Sequence, residues 1–282
     1  MMNSTAIPTM FRTFEQAKAM SFDTGLSFVT VKSNALKQRV DMSLYVPQQL
    51  TSMSHATEVP LVILLHGVYG SHWAWAMKGA AHLTAQQLID TGKIAPMVLA
   101  MPSDGLWGDG SGYVAHQEKN FEQWIVDEVP AAARLACNAL TALSPIFIAG
   151  LSMGGWGALR LAGKYPQRFA AAAAHSAMTD ISQFDALVEE SREAWSTHAS
   201  DCSVLYALQN ADASLPPIRF DCGTEDFLLQ ANRTLHQALN DANIPHEYAE
   251  FPGAHEWSYW SQHVEDSLLF FNRILNKKGL TV

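Results

Sequence analysis

The chain has 282 residues, of which 48% are hydrophobic and 16% are charged, a composition typical of a globular protein with a substantial core. Its formal net charge of −9 argues against nucleic acid or an anionic membrane as a partner, because both require basic patches. No run of about 18 apolar residues is present, so no membrane-spanning helix is predicted.

The first half of the chain alternates between predicted strands and helices. Leu26–Val31 and Val40–Val46 show partial apolar/polar alternation, which is typical of half-buried antiparallel strands. The polar segment Thr51–Glu58 is predicted to be a loop. The apolar runs predict strands buried on both faces, and two helices accompany them. These strands are Leu61–Leu65 and Met97–Met101, and the helices are Ala81–Ile89 and Phe121–Leu140, the latter bent or restarted at Pro130.

The second half continues the alternation. Buried strands separated by helices predict a mainly parallel sheet with helices on both faces, whose ligands bind at the carboxyl ends of the strands. The strands are the run from Ile146, Phe169–His175, Ile218–Cys222 and Glu247–Phe251, and the helices are Ala231–Asn240 and Val264–Leu275.

The segment Ser176–Pro216, after the sixth predicted strand, is longer than a normal crossover. We interpret it as a partly helical insertion that forms a small cap within a single domain spanning residues 1–282. An ordinary crossover helix with long loops is the alternative.

The run Ile146–Gly154 ends in Gly-Leu-Ser-Met-Gly and leads directly into a helical stretch. A strand, a tight turn and a helix in this order form a nucleophile elbow, which holds the central serine in a strained backbone conformation. Gly150 and Gly154 fit the close approach of strand and helix on either side of Ser152. Ser152 is therefore the predicted nucleophile.

A serine nucleophile requires a base and a carboxylate that orients it, in the chain order serine, acid, histidine. Three carboxylates, Asp221, Glu225 and Asp226, lie at or just past the end of a predicted strand. For the base, His255 occupies a glycine-containing loop after the last strand. His246 lies at the start of that strand, and His263 is interpreted as a solvated residue of the last helix.

Acyl transfer also requires hydrogen-bond donors for the oxyanion of the tetrahedral intermediate. One donor is expected from the backbone N–H of Met153, which follows the nucleophile. The other is expected from Val68, in the loop after Leu61–Leu65, where Gly67 lets the backbone approach the substrate. His66, in the same loop, is assigned a structural role.

Aromatic side chains concentrate in the loops that follow the strands, and some of them should line an apolar pocket for the substrate. The residues predicted to bind the substrate are Gly67, Tyr69, Trp75, Trp107 and Trp257.

Together these residues resemble the esterase D-like branch of the α/β-hydrolases, which includes tributyrin and feruloyl esterases, S-formylglutathione hydrolases and antigen 85 mycolyltransferases. The resemblance extends from about residue 26 to about residue 275. It rests on four blocks in the family's order, which are Leu64–Gly67 with Trp75, Gly150–Ala158, Cys222–Asp226 and Pro252–Trp260. It implies the α/β-hydrolase fold, a triad of Ser152, Asp226 and His255, and oxyanion donors Val68 and Met153.

The resemblance predicts a serine carboxylesterase that hydrolyses short-chain or aromatic esters through an acyl-enzyme. A thioesterase acting on S-formylglutathione and an acyltransferase are the alternatives, although S-formylglutathione hydrolases usually carry His at the position of Leu151. A non-catalytic binding protein of the same fold is a remote alternative, since such relatives usually lose a triad member.

The remaining predictions concern partners and location. The expected partner is a small-molecule ester, with no nucleic acid or membrane, and a homo-oligomer is possible. Cys137, Cys202 and Cys222 form no metal-binding or redox pair, and no metal or other cofactor is expected. Residues 1–20 show no apolar core of a secretory signal. Because the three cysteines are far apart in the sequence and odd in number, a reducing, cytoplasmic location is predicted.

Overall fold

The computed structural model describes residues 10–11, 13–18, 25–51 and 59–279. Within them, nine strands form one sheet in the order β1-β2-β3-β5-β4-β6-β7-β8-β9. The strands are β1 (Phe14–Lys18), β2 (Leu26–Lys32), β3 (Arg39–Tyr45), β4 (Leu61–Leu65), β5 (Val98–Pro102), β6 (Ile146–Leu151), β7 (Ala171–His175), β8 (Ile218–Gly223) and β9 (Glu247–Phe251).

The sheet is mainly parallel, as predicted. Strands β4 to β9 pair in parallel, whereas β1, β2 and β3 form an antiparallel meander whose third strand pairs antiparallel with β5. The register pairs Leu65 with Gly150, Leu151 with His175, and His175 with Asp221. The carboxyl ends of the central strands therefore meet at one edge of the sheet, where α/β sheets bind their ligands.

Helices cover both faces of the sheet and create two hydrophobic cores. Strand β4 shows the division, since Leu61, Ile63 and Leu65 belong to one core and Val62 and Leu64 to the other. The helices are α1 (Gln48–Thr51), α2 (Ala74–Met77), α3 (Ala81–Asp90), α4 (Phe121–Gln123), α5 (Val129–Ala136), α6 (Met153–Lys164), α7 (Ala199–Cys202), α8 (Val204–Gln209), α9 (Leu229–Asp241) and α10 (Trp257–Lys278). Among the described helices, none is long and apolar enough to cross a membrane.

Two predicted helices differ from those observed. The predicted helix Phe121–Leu140 is divided by a wide π turn at Trp124–Glu128, and its last part begins next to Pro130, which has no N–H to donate, and ends at Ala136. The last helix begins at Trp257, seven residues before the predicted start at Val264.

Strand β1 is absent from the predictions because its short, polar sequence carries no apolar alternation. The predicted strand limits are otherwise close to the observed ones. Residues 52–58 of the predicted loop Thr51–Glu58 lie outside the described residues, and Thr51 closes α1.

The segment Ser176–Pro216 contains a 3₁₀ helix (Ile181–Ala186), α7 and α8. Helix α8 packs closely on α6, since a Cβ at Gly163 would lie 2.6 Å from the carbonyl oxygen of Ala207. Asp201 of α7 accepts a hydrogen bond of 2.6 Å from Arg160 of α6. The segment is therefore held against the helix that follows Ser152.

Candidate active site

Ser152 lies between β6 and α6 in a sharp turn. Its φ of 53° is in the left-handed region that non-glycine residues rarely adopt. The turn is possible because its neighbours are small. A Cβ at Gly150 would lie 2.3 Å from the backbone of Gly154, and a Cβ at Gly154 would lie 2.2 Å from the carbonyl oxygen of Leu65. The strand-turn-helix geometry predicted for a nucleophile elbow is thus present.

The predicted serine, histidine and aspartate form a continuous chain of hydrogen bonds. His255 Nδ1 lies 3.0 and 2.9 Å from the carboxylate oxygens of Asp226, which can only accept, so Nδ1 donates. Nε2 is then available to accept a hydrogen bond from the hydroxyl of Ser152, whose Oγ lies 3.0 Å away. This is the hydrogen-bond geometry that a histidine needs to act as a base toward a serine.

The local structure distinguishes Asp226 from the other candidate carboxylates. Asp226 is buried just past β8, and its carboxylate also accepts the N–H of Leu228 at 2.8 Å. Glu225 is exposed to solvent. Asp221 is fully buried and binds His175 rather than His255.

The two alternative histidines lie away from Ser152. His246 stacks on Phe220 and hydrogen-bonds to His236 at 2.7 Å. His263 is buried between Phe251 and Tyr259 and binds Asp266, so its interpretation as a solvated residue is wrong. The early start of α10 places it on the inner side of the helix.

The loop after β4 lies directly against Ser152. A Cβ at Gly67 would lie 3.3 Å from the Cβ of Ser152. His66 fixes this loop, because its Nε2 accepts the N–H of Asp104 at 3.0 Å and its Nδ1 donates to the carbonyl of Gly67 at 2.7 Å. The side chains of Val68 and Met153 meet at Gly110, where an added Cβ would lie 3.3 and 2.6 Å from them.

A cavity of about 260 Å³ opens at Ser152 and His255. Of the residues predicted to bind the substrate, Gly67, Tyr69 and Trp257 line it. Its other lining residues are Val68, Gly70, Trp73, Ala74, Lys78, Leu151, Leu187, Phe227 and Trp260.

The structure places two predicted pocket residues elsewhere. Trp75 is buried behind the cavity, where its indole N–H donates to the carbonyl of Leu65 at 2.9 Å and its ring packs edge-on against Trp257. Trp107 packs edge-on against His116 and Trp195 and does not line the cavity. Both indoles contribute to packing around the site.

The sequence reasoning did not single out Lys78 or Phe227 and assigned no pocket role to Leu187 or Trp260. Phe227 directly follows Asp226, and Trp260 lies one turn after Trp257 in α10. A helix beginning at residue 257 is the signal that would have identified Trp260.

A second serine, histidine and aspartate group lies beneath the first. Ser267 Oγ is 2.9 Å from His175 Nε2, and His175 Nδ1 is 3.0 Å from both carboxylate oxygens of Asp221. All three residues are fully buried, and none lines the cavity. A substrate cannot reach this Ser267, whatever the geometry of its hydrogen bonds.

The buried group is completed by Arg219 and by Tyr259, whose hydroxyl donates to Asp221 at 2.8 Å. Burial alone would raise the pKa of Asp221, but the charge and hydrogen bond of His175 and the charge of Arg219 lower it to about 2. Asp221 is therefore ionised and fully engaged inside the fold.

Residues 33–271 match the model of a family described as putative esterase. The chain belongs to this esterase family. The match spans all the elements that carry the site, from the loop after β4 to α10. Membership of the family confirms the predicted esterase D-like resemblance and the predicted class of enzyme, a carboxylic ester hydrolase.

Relatives of this esterase agree in sequence and in fold. The chain is 26% identical over 230 residues to an acetyl esterase of Caldicellulosiruptor saccharolyticus. That alignment covers 75% of this chain and 82% of the relative. A ferulic acid esterase structure superposes with a TM-score of 0.76 at 24% identity, covering 88% of this chain and 98% of that chain. The S-formylglutathione hydrolase of Staphylococcus aureus gives a TM-score of 0.71 at 20% identity, with coverage of 91% and 98%. These similarities confirm the predicted α/β-hydrolase fold.

Proposed function

We propose that this esterase is a serine carboxylesterase in which Ser152, His255 and Asp226 act as nucleophile, base and orienting carboxylate. The observation that carries the proposal is the hydrogen-bond chain from Asp226 through His255 to Ser152, which opens into the cavity. Ser152 Oγ attacks the ester carbonyl carbon while its proton passes to His255 Nε2. His255 then protonates the leaving alkoxide, and the alcohol departs from the acyl-enzyme.

The second half of the reaction repeats these steps with water. His255 removes a proton from a water molecule, the hydroxide attacks the acyl carbon, and the carboxylic acid leaves as the proton returns to Ser152. Throughout, Asp226 keeps the proton-bearing Nδ1 of His255 oriented and stabilises the imidazolium. The base therefore presents the same nitrogen to both nucleophiles.

We assign the oxyanion hole to the backbone N–H groups of Val68 and Met153. Gly67 supports this assignment, because its backbone lies against Ser152 and brings the next N–H to the reacting carbon. Met153 is the first residue of α6, where helical N–H groups have no intrahelical acceptor and favour negative charge. Each such donor typically lowers the barrier by about 3–4 kcal/mol.

The cavity supports a small acyl or aromatic group as substrate. Its volume of about 260 Å³ is at the low end for ligand pockets, and its walls include Trp73, Phe227, Trp257 and Trp260. The similarity to an acetyl esterase also supports a short acyl group in the substrate of this enzyme. Leu187, from the segment Ser176–Pro216, lines the cavity, so we propose that this segment acts as a cap within a single domain. We further propose a cytoplasmic location, because the three cysteines of the chain are far apart in the sequence and odd in number, a pattern that favours a reducing compartment.

A fluorophosphonate probe tests the proposal, because it bonds covalently to an activated serine. Folded wild-type protein should be labelled at one residue, Ser152, and lose hydrolysis of 4-nitrophenyl acetate in step with labelling. Ser267→Ala is the matched control, since Ser267 also faces a histidine and an aspartate but is buried. This variant should be labelled at Ser152 as the wild type is. Labelling at another residue, or none on folded protein, contradicts the proposal.

A further inference from the structure

Lys78 is the only residue with a permanent charge among the described residues that line the cavity. It directly follows α2 and holds the end of that helix through its backbone N–H, which donates to the carbonyl of Ala74 at 2.9 Å. Its side chain is exposed. A cavity that is otherwise neutral and rich in aromatic rings thus contains one ammonium group.

Two indole rings flank this ammonium group. Lys78 Nζ lies 6.0 Å from the centroid of the Trp73 ring and 5.9 Å from that of the Trp257 ring. A cation at these distances is attracted to the electron-rich faces of both rings. Since Trp73 and Trp257 also line the cavity, the ammonium group is held at the wall of the site that contains Ser152.

No described carboxylate forms an ion pair with Lys78, although the chain has 27 acidic and only 18 basic residues. Other cations of the protein are neutralised in this way. Lys164 binds Glu122 and Asp201, and Lys93 binds Glu265 at 3.5 Å. Lys78 therefore brings to the cavity wall a positive charge that no described carboxylate neutralises.

Acidic residues lie near another part of the cavity. Burial, followed by the charges of Asp109 and Glu189, raises the pKa of Tyr69. These carboxylates repel an anion at Tyr69, whereas Lys78 attracts one. The charges around the cavity thus favour a negatively charged substrate group next to the Trp73 and Trp257 rings rather than at Tyr69.

We propose that Lys78 binds an anionic group of the substrate, so that the enzyme prefers carboxylic esters that carry a second, ionised carboxylate. This inference rests on the proposed function of the same site. A carboxylate placed here is attracted to the ammonium group, and because the Lys78 side chain is exposed, the pair has the modest strength of an ion pair at a protein surface. The rings meanwhile cover the apolar part of the ester. Lys78 is then a specificity residue that contacts the substrate away from the reacting bond.

The test compares anionic and neutral esters that are otherwise matched. The first pair differs in the alcohol part of the ester. Its anionic member is 4-acetoxybenzoate, and its neutral member is methyl 4-acetoxybenzoate. On the acyl side, the pair is the mono-4-nitrophenyl ester of adipic acid and 4-nitrophenyl hexanoate. For each ester, kcat/KM of the variant is divided by kcat/KM of the wild type, which cancels the intrinsic reactivity of that ester. The quantity measured is this ratio for the anionic ester divided by the same ratio for its neutral partner.

Lys78→Met keeps an unbranched apolar side chain against the two indoles but removes the charge. In at least one pair, we expect kcat/KM for the anionic ester to fall about fivefold, and that for the neutral ester to change less than about twofold, as for loss of one partly exposed ion pair. Lys78→Arg should keep the preference. Lys93→Met is the control for net charge, because Lys93 pairs with Glu265 and does not line the cavity.

The outcomes separate the two proposals. If Lys78→Met lowers kcat/KM equally for anionic and neutral esters in both pairs, or leaves both unchanged, Lys78 only supports the tryptophans and the inference is overturned. Retention of the preference in Lys78→Met overturns it as well. If wild-type protein hydrolyses none of the four esters and is not labelled by fluorophosphonate, the proposed function itself fails.

Discussion

The backbone N–H of Ser152 donates to the carbonyl of His175 at 3.0 Å. The same His175 binds Asp221 and Ser267 through its ring, inside the fold. The turn that holds Ser152 is therefore attached to the buried group of Ser267, His175 and Asp221. Asp221 extends the connection to α10 through Tyr259, four residues after His255. The buried group thus joins the two segments that carry the nucleophile and the base.

His175→Leu should destabilise the protein by about 2–3 kcal/mol, because it leaves part of a buried, ionised Asp221 without its partner. Ser267→Ala removes one hydrogen bond and should cost about 1 kcal/mol. Urea unfolding at pH 7 measures both. Equal and negligible losses in the two variants would mean that the buried group does not hold the site together.

Asp226→Asn should lower kcat for 4-nitrophenyl acetate by up to about 10⁴-fold, because an amide no longer fixes the tautomer of His255. Glu225→Gln is the matched control, since it removes a neighbouring negative charge from an exposed side chain. We expect it to retain kcat. A larger loss in Glu225→Gln than in Asp226→Asn would transfer the orienting role to Glu225.

Gly67→Ala tests the oxyanion hole. The added methyl group would lie 2.9 Å from Leu151 Cδ1 and 3.3 Å from Ser152 Cβ, so the loop must move away from the nucleophile. Displacing the Val68 N–H should reduce kcat by about 100-fold, with a smaller change in KM. Val68→Ala keeps the backbone N–H and should stay close to the wild-type kcat. Equal losses in both variants would indicate a defect of packing rather than of the oxyanion hole.

The sequence predicted those parts of the site that depend on local chain geometry. The elbow around Ser152 requires only a strand, small residues and a helix, all of which lie within residues 146–164 of the chain. Asp226 and His255 follow strand ends, and the parallel sheet brings those ends together. The hydrogen bonds that join Asp226 to His255 and His255 to Ser152 therefore follow from topology.

The pocket was harder to predict because it depends on where long-range contacts turn each aromatic ring. Trp75 turns toward the carbonyl of Leu65, and Trp107 packs against Trp195, which lies far away in the sequence in the segment Ser176–Pro216. Lys78 had no signal of its own. Its position near Trp73 and Trp257 appears only when the start of α10 is placed against α2.

His116 lies within an aromatic group that joins this same segment to the body of the protein. Its ring stacks on Trp195 and packs edge-on against Trp107, and its Nε2 lies 3.1 Å from the carbonyl oxygen of Ser111. Because that carbonyl can only accept, Nε2 donates. Burial is the main reason why the pKa of His116 falls to about 4.

This depressed pKa predicts a loss of stability in mild acid. Between about pH 6.5 and about pH 4, the unfolded chain binds a proton at His116 that the folded chain does not, so stability falls as the pH falls. We expect a loss of about 1–2 kcal/mol after allowance for the partial exposure of the ring.

His116→Phe keeps an aromatic ring but cannot titrate, so its free energy of unfolding should fall less than that of the wild type over this range. His198→Gln, at an exposed position, should follow the wild-type curve. Urea unfolding at pH 7.5, 6 and 5 makes the comparison, and parallel curves for His116→Phe and wild type would show that His116 does not cause the acid sensitivity.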